Sequence, residues 1–190
     1  MGALFGVNFF QLFLFALLIA GFFLVTQMIE FMVIGLPRSR TTWMSNWLTT
    51  TGTFCLHDSL SQYTLSELNQ YTCKKTFGVS DTAIYQAMKG SINSHPAKKL
   101  IIHRPIDEIN ASLGRHQVSQ SDADALHDIK GMHVDFKDIN KMGKRIWMHL
   151  IGDGFDPERF DELTLMNVQP HFDGLRPANQ VKIQSWISGN

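Results

Sequence analysis

Short apolar runs separated by amphipathic stretches recur along the chain from residue 30 onward. Phe31–Gly35 (FMVIG) is the first, unbroken in hydrophobicity as a strand buried on both faces must be. Four more follow at Thr53–His57, Thr76–Asp81, 99–103 and 132–136, each stopping at polar or charged residues. The intervening stretches carry helical spacing. Residues 42–50 place Trp43 and Trp47 at i, i+4, one face turned to the core. Residues 59–71 read as a helix with Ser66 and Glu67 as polar surface, and another helix falls around 82–89. Pro105 followed by Asp107 and Glu108 marks a helix start that runs to about Gln117. Residues 119–128 form a polar loop and short helix, 137–150 a longer helix, and Asp156-Pro157-Glu158 opens a last one over 156–166.

Strands alternating with helices predict an α/β fold: a mostly parallel sheet with helices on both faces, in three layers. At 190 residues the chain has room for one such domain, placed at 30–190. In parallel sheets ligands bind beyond the C-terminal strand ends. Here those ends carry residues 35–40, His57-Asp58, Ser80-Asp81 and Arg104, so the chemistry gathers on one rim.

Residues 1–29 contain no charged side chain before Glu30, and 12–25 is apolar without a break. About 20 apolar residues suffice to span a bilayer, so the segment is a transmembrane candidate, with membrane association through residues 3–28. It lacks the basic n-region and the cleavage site of a signal peptide. Arg38 and Arg40 on its C-terminal side would keep the folded domain cytoplasmic. The alternative is an upstream extension, with the functional chain starting at Met28 or Met32 and cytoplasmic throughout.

Lys+Arg 17 against Asp+Glu 17 gives zero formal net charge, and no local basic stripe is evident, so nucleic acid is not expected as a partner. Cys55 and Cys73 form no CxxC and suit free thiols in a reducing compartment. The eight histidines show no metal-ligand spacing, and no metal is expected.

The densest chemistry is the run Gly35-Leu36-Pro37-Arg38-Ser39-Arg40-Thr41-Thr42-Trp43. An apolar strand, a compact turn with two arginines and three hydroxyls, and the first turn of a helix together describe an anion cradle. The first N–H groups of a helix are unpaired and the dipole favours negative charge there. Against the pattern GxxxxGK[ST], Gly35 and Thr42 fit, but Arg40 replaces the second glycine and Thr41 the lysine. The residue that reaches the β- and γ-phosphates is thus missing, which disfavours an ordinary ATPase or kinase.

The same run resembles the 5′-phosphosulfate loop of P-loop sulfotransferases, roughly P-[KR]-S-G-T-[TS]-W. Pro37, Arg38, Ser39, Thr41, Thr42 and Trp43 match, and Arg40 stands where the family has glycine, a variant similar to that of small bacterial and phage sulfotransferase-like proteins. Arginine there calls for a backbone without positive φ, or for tolerated strain. The family also holds the donor's 3′-phosphate with an arginine ending a strand and a serine eight residues on, a spacing that Arg104 and Ser112 reproduce. The resemblance covers about residues 31–115; the glycine-rich C-terminal motif of the cytosolic enzymes is absent.

The resemblance implies a P-loop fold and transfer of a sulfuryl group from 3′-phosphoadenylyl sulfate to a hydroxyl or amine of a small molecule or glycan. It puts Arg38 on the bridging and sulfate oxygens. Ser39, Arg40, Thr41 and Thr42 fall on the 5′-phosphate, Pro37 joins them in the cofactor-binding loop, and Arg104 with Ser112 falls on the 3′-phosphate. As general base the end of the second strand offers His57, with Asp58 orienting or replacing it. Ser80-Asp81 reads as a cap on the next helix, or as an acceptor contact. Two other readings stay open: a P-loop nucleotide or small-molecule kinase using arginine for lysine, and a nucleotide-binding protein without turnover.

Overall fold

The computed structural model describes residues 29–71, 73–82, 85–114 and 117–165. The anticipated anchor or extension lies outside the described residues, except Ile29; among those residues no helix is long and apolar enough to cross a membrane.

Strand β1 (Phe31–Gly35) is buried at every position, as its unbroken apolar run requires. It pairs in parallel with β3 (Thr76–Asp81) on one side and β4 (Lys98–His103) on the other. β2 (Thr53–His57) and β5 (Met132–Asp135) complete the sheet at its edges, also parallel, in the order β2-β3-β1-β4-β5. Because side chains alternate along β1, Phe31 and Val33 enter one core layer while Met32 and Ile34 enter the other. The first layer receives α1 (Thr41–Leu48), α6 (Ile139–Leu150) and α7 (Pro157–Leu165) through Trp47, Trp147 and Phe160. The second receives α2 (Leu65–Asn69), α3 (Tyr85–Ser94), α4 (Ile106–Leu113) and α5 (Gln120–His127) through Leu68, Ile92, Ile109 and Leu126. Helices on both faces of an all-parallel sheet make three layers, as the hydrophobic pattern predicts.

β1 leads into α1 on one face, whereas its neighbours β3 and β4 lead into α3 and α4 on the other. The connections therefore diverge at the C-terminal end of β1 and leave a crevice there. The end of α1 is fixed from a distance: Arg159 of α7 donates from Nη2 to the carbonyls of Asn46 (3.0 Å) and Thr49 (2.5 Å), a cation where the helix dipole is negative.

Three elements differ from the sequence reading. The helix expected over 59–71 is split into a 3-10 turn, Ser59–Ser61, and α2. Thr64 and Glu67 form a reciprocal capping box that starts a new helix between them. α4 stops at Leu113, because Gly114 takes φ +67 and turns the chain out of the helix. α3 begins later and runs further than expected, from Tyr85 to Ser94.

Gly78 is opposite Phe31 in the β1–β3 register, and a Cβ on it would fall 2.3 Å from the Phe31 ring. Gly78→Ala is expected to cost about 1–3 kcal/mol through overpacking. Urea denaturation checks this, and Phe31→Leu in the same chain should recover part of the loss.

Candidate functional site

Beyond β1 the chain folds back on itself, Ser39 N–H donating to the Leu36 carbonyl at 3.1 Å. Arg38 (φ 66) and Arg40 (φ 64) both occupy the left-handed region, and Asp58 (φ 50) across the crevice does too. These are the positive-φ residues other than glycine among the described residues, and all three were singled out by the sequence. Of the two options for Arg40 the chain takes strain: the arginine adopts the conformation a glycine would adopt freely, at roughly 1–2 kcal/mol. It is the N-cap of α1 and makes no side-chain cap bond, so its own side chain leaves the first-turn N–H groups uncapped. The Ser39 hydroxyl beside them is buried with no hydrogen-bond partner. An uncapped helix start, an orphan hydroxyl and a strained turn coincide on this loop. Pro37 leads into it, half-buried.

β2 ends beside this helix start. His57 Nε2 lies 3.0 Å from the Thr42 hydroxyl and 3.3 Å from that of Thr41, and its Nδ1 faces Asp58 Oδ2 at 3.4 Å. This arrangement suits an Nδ1–H pointing at the carboxylate and an Nε2 lone pair pointing at the hydroxyls. The His57 side chain is only 12 % exposed. Burial lowers its pKa from the ordinary histidine value, with Asp58 opposing, so the ring is neutral and basic near pH 7. Asp58 is fixed in turn: its Oδ1 accepts from the Thr82 hydroxyl at 2.8 Å and the Thr82 N–H at 3.2 Å. Carboxylate, imidazole and threonine hydroxyl thus stand in series at the rim.

β3 contributes support. The Ser80 hydroxyl donates to the Thr41 carbonyl at 2.7 Å and ties the start of α1 to the sheet. Asp81 accepts from Leu60 N–H at 2.7 Å and so holds the turn that follows β2, while the start of the helix after its own strand, which it was expected to cap, lies next to residues outside those described. The reason is register: His57 pairs with Ser80, which brings the two strand ends level.

From β4, Arg104 reaches back to the loop. Its Nη1 donates to the Arg38 carbonyl at 2.5 Å, and its Nε donates to Glu108 Oε2 at 3.1 Å. The structure therefore brings Arg38, Ser39, Arg40, Thr41, Thr42, His57, Asp58 and Arg104 around one crevice. Ser112 lies further along α4, its hydroxyl donating to the Ile109 carbonyl at 2.8 Å and so spent on its own helix. The chain matches no family model, no curated protein and no solved structure. The site's meaning accordingly rests on its own geometry and chemistry.

Two residues that the sequence did not single out belong to the site. Phe136, in the 3-10 turn after β5, lies under both arginines: the Arg104 Cζ is 4.4 Å and the Arg40 Cζ 5.3 Å from its ring centroid. Asn140, in the first turn of α6, accepts from Arg40 Nη1 at 2.5 Å. An aromatic ending an apolar strand reads as core, and only the β4–β5 pairing reveals that it stands beside Arg104.

His103, Arg104's neighbour, belongs to a different cluster. Its ring stacks on His127 (4.3 Å) and His133 (5.0 Å), its Nε2 is 2.7 Å from His133 Nδ1, and His133 Nε2 donates to the Ile129 carbonyl at 2.8 Å. Among the described residues no group of three His, Cys, Asp or Glu is placed to hold a metal ion. Burial, then His127 and His133, lower the His103 pKa to about 4, against Asp135. The folded value lies below the unfolded one, so the contribution is complete above pH 6.5 and is lost as pH falls towards 4. After allowance for solvent screening, on the order of 1–2 kcal/mol should disappear across that window. Chemical denaturation at pH 7 and 4.5 reads it, and His103→Phe, which keeps the stacking without the titration, should flatten the loss.

Proposed function

We propose that this chain transfers a sulfuryl group from 3′-phosphoadenylyl sulfate to a hydroxyl or amine acceptor. The supporting observation is the Arg104–Arg38 contact: an arginine 66 residues away in sequence reaches the phosphate-loop backbone from the adjacent strand. The two halves of the resemblance, the loop and the strand-end arginine, are therefore neighbours, as one ligand with two phosphates requires. The central position of β1 and the divergence of its connections agree with a P-loop arrangement.

The residues suit each demand of the reaction. The uncapped start of α1 and the hydroxyls of Thr41 and Thr42 suit a 5′-phosphate. Arg38, exposed at the loop's apex, suits the sulfate and the bridging oxygen, where charge builds as the bond breaks. His57 accepts the acceptor's proton at Nε2 while the new oxygen–sulfur bond forms. The sulfur–oxygen bond to the phosphate breaks, leaving adenosine 3′,5′-bisphosphate. In-line placement and charge stabilisation dominate such a transfer, as in phosphoryl transfer. No lysine occupies the loop position that ATP chemistry uses, since Thr41 stands there.

Titration calorimetry with adenosine 3′,5′-bisphosphate, adenosine 5′-phosphate and ATP, with and without magnesium, tests the reading. Tightest binding of the bisphosphate without magnesium is expected. Preference for magnesium-ATP would replace this reading with a kinase.

A further inference from the structure

The arginine that departs from the family pattern does not point back over the loop. Arg40 instead lies against Phe136, Trp43 and Asn140, on the same aromatic ring as Arg104. We infer that Arg40 and Arg104 form one dianion subsite, built on Phe136 and Asn140 beside the backbone cradle, for a phosphate or sulfate monoester group of the ligand. This assigns Arg40 to the second anionic group rather than to the 5′-phosphate, and it rests on the donor reading only for the identity of that group.

Charge and donor inventory support the assignment. Two guanidiniums share a ring, yet among the described residues one carboxylate, Glu108, faces them; the partner of Arg40 is a neutral amide. Partial burial, and after it the charge of Arg104, lower the Arg40 pKa, so the two guanidiniums repel each other across the shared ring. A dianion relieves that repulsion. A guanidinium has five N–H donors, and among the described residues Arg40 spends one and Arg104 two. Phe136 fixes the planes of both groups at little entropic cost, because cation–π stacking restrains side chains that are otherwise flexible. The adjacent orphan hydroxyl of Ser39 and the uncapped start of α1 are independent signs of an anion at this end of the sheet. Arg40 holds a left-handed backbone that glycine would adopt without strain, and its side chain's contacts with Asn140 and Phe136 offset that cost.

Arg40→Gly gives a clean test, because glycine suits φ 64 and should leave stability in urea unchanged or raised. Binding of adenosine 3′,5′-bisphosphate, adenosine 5′-phosphate and inorganic pyrophosphate is measured by calorimetry for the wild type, Arg40→Gly, Phe136→Leu and Phe136→Tyr. The expected result is a loss of about tenfold or more in bisphosphate affinity for Arg40→Gly and Phe136→Leu. Adenosine 5′-phosphate should change by less than about twofold, and Phe136→Tyr should bind like the wild type. Wild-type bisphosphate affinity in Arg40→Gly, or equal losses for both nucleotides, would overturn the subsite even if Phe136→Leu proves unstable. If the wild type binds pyrophosphate but neither nucleotide, and Arg40→Gly loses pyrophosphate, the subsite stands and the donor reading falls. A wild type that binds none of the three sinks both.

Discussion

Replacing His57 by alanine should lower sulfate transfer by about 10²- to 10⁴-fold while leaving donor affinity within about twofold. The residue's place explains both halves of that expectation. Its Nε2 meets the Thr41 and Thr42 hydroxyls and its Nδ1 faces a carboxylate, so it can take a proton, while the donor's charge falls on the arginines and the start of α1 rather than on the imidazole. Burial keeps the folded pKa below 6.5, so the acid limb of kcat should lie below the range of a free histidine and the rate should be level through pH 7. Asp58→Asn removes the opposing carboxylate and should move that limb further to the acid side. It should also reduce the rate, because nothing then selects the Nδ1–H tautomer. Steady-state rates over pH 5–8 with bisphosphate titrations decide it. A His57→Ala protein that transfers at full rate would remove the histidine from the chemistry.

Arg104→Ala should sharply reduce discrimination between adenosine 3′,5′-bisphosphate and adenosine 5′-phosphate, with Arg40 keeping part of it. Charge-assisted bonds to phosphate are worth about 1.5–3 kcal/mol, or about 10- to 100-fold in affinity. The side chain is 19 % exposed and already bound to Glu108, so part of the gain is spent on breaking that pair, and the lower half of the range is expected. Loss of its bond to the Arg38 carbonyl should also loosen the loop. Competition binding on the variant separates the effects: a loosened loop weakens both nucleotides, whereas a lost phosphate partner weakens only the bisphosphate. Equal weakening would show that Arg104 braces the loop and touches no ligand.

Much of this site was legible because it depends on local patterns at strand ends. Continuous apolar runs gave all five strands, and a parallel sheet places their C-terminal residues on one rim, which brings His57 and Arg104 to the loop. The proline and acids after Arg104 marked α4 for equally local reasons. Two features escaped because they are set by tertiary contacts. Arg40's left-handed backbone is offset by an amide 100 residues away and by two aromatic rings, none of which a local propensity includes. Phe136 becomes part of the site only through the β4–β5 register.

The aromatic layer over α1 also makes the molecule its own optical probe. Three of the four tryptophans, Trp43, Trp47 and Trp147, pack together on one side of the sheet, with Trp43–Trp47 and Trp47–Trp147 centroids 5.3 and 5.6 Å apart. Among the described residues Trp43 alone of these three has a cation over its ring, the guanidinium of Arg40 at 5.6 Å, while its indole N–H is held by the Leu163 carbonyl at 2.8 Å. An anion that draws Arg40 away alters the field at one indole and leaves its neighbours as an internal reference. Occupancy of the crevice can then be followed by intrinsic emission, with no label attached near the loop.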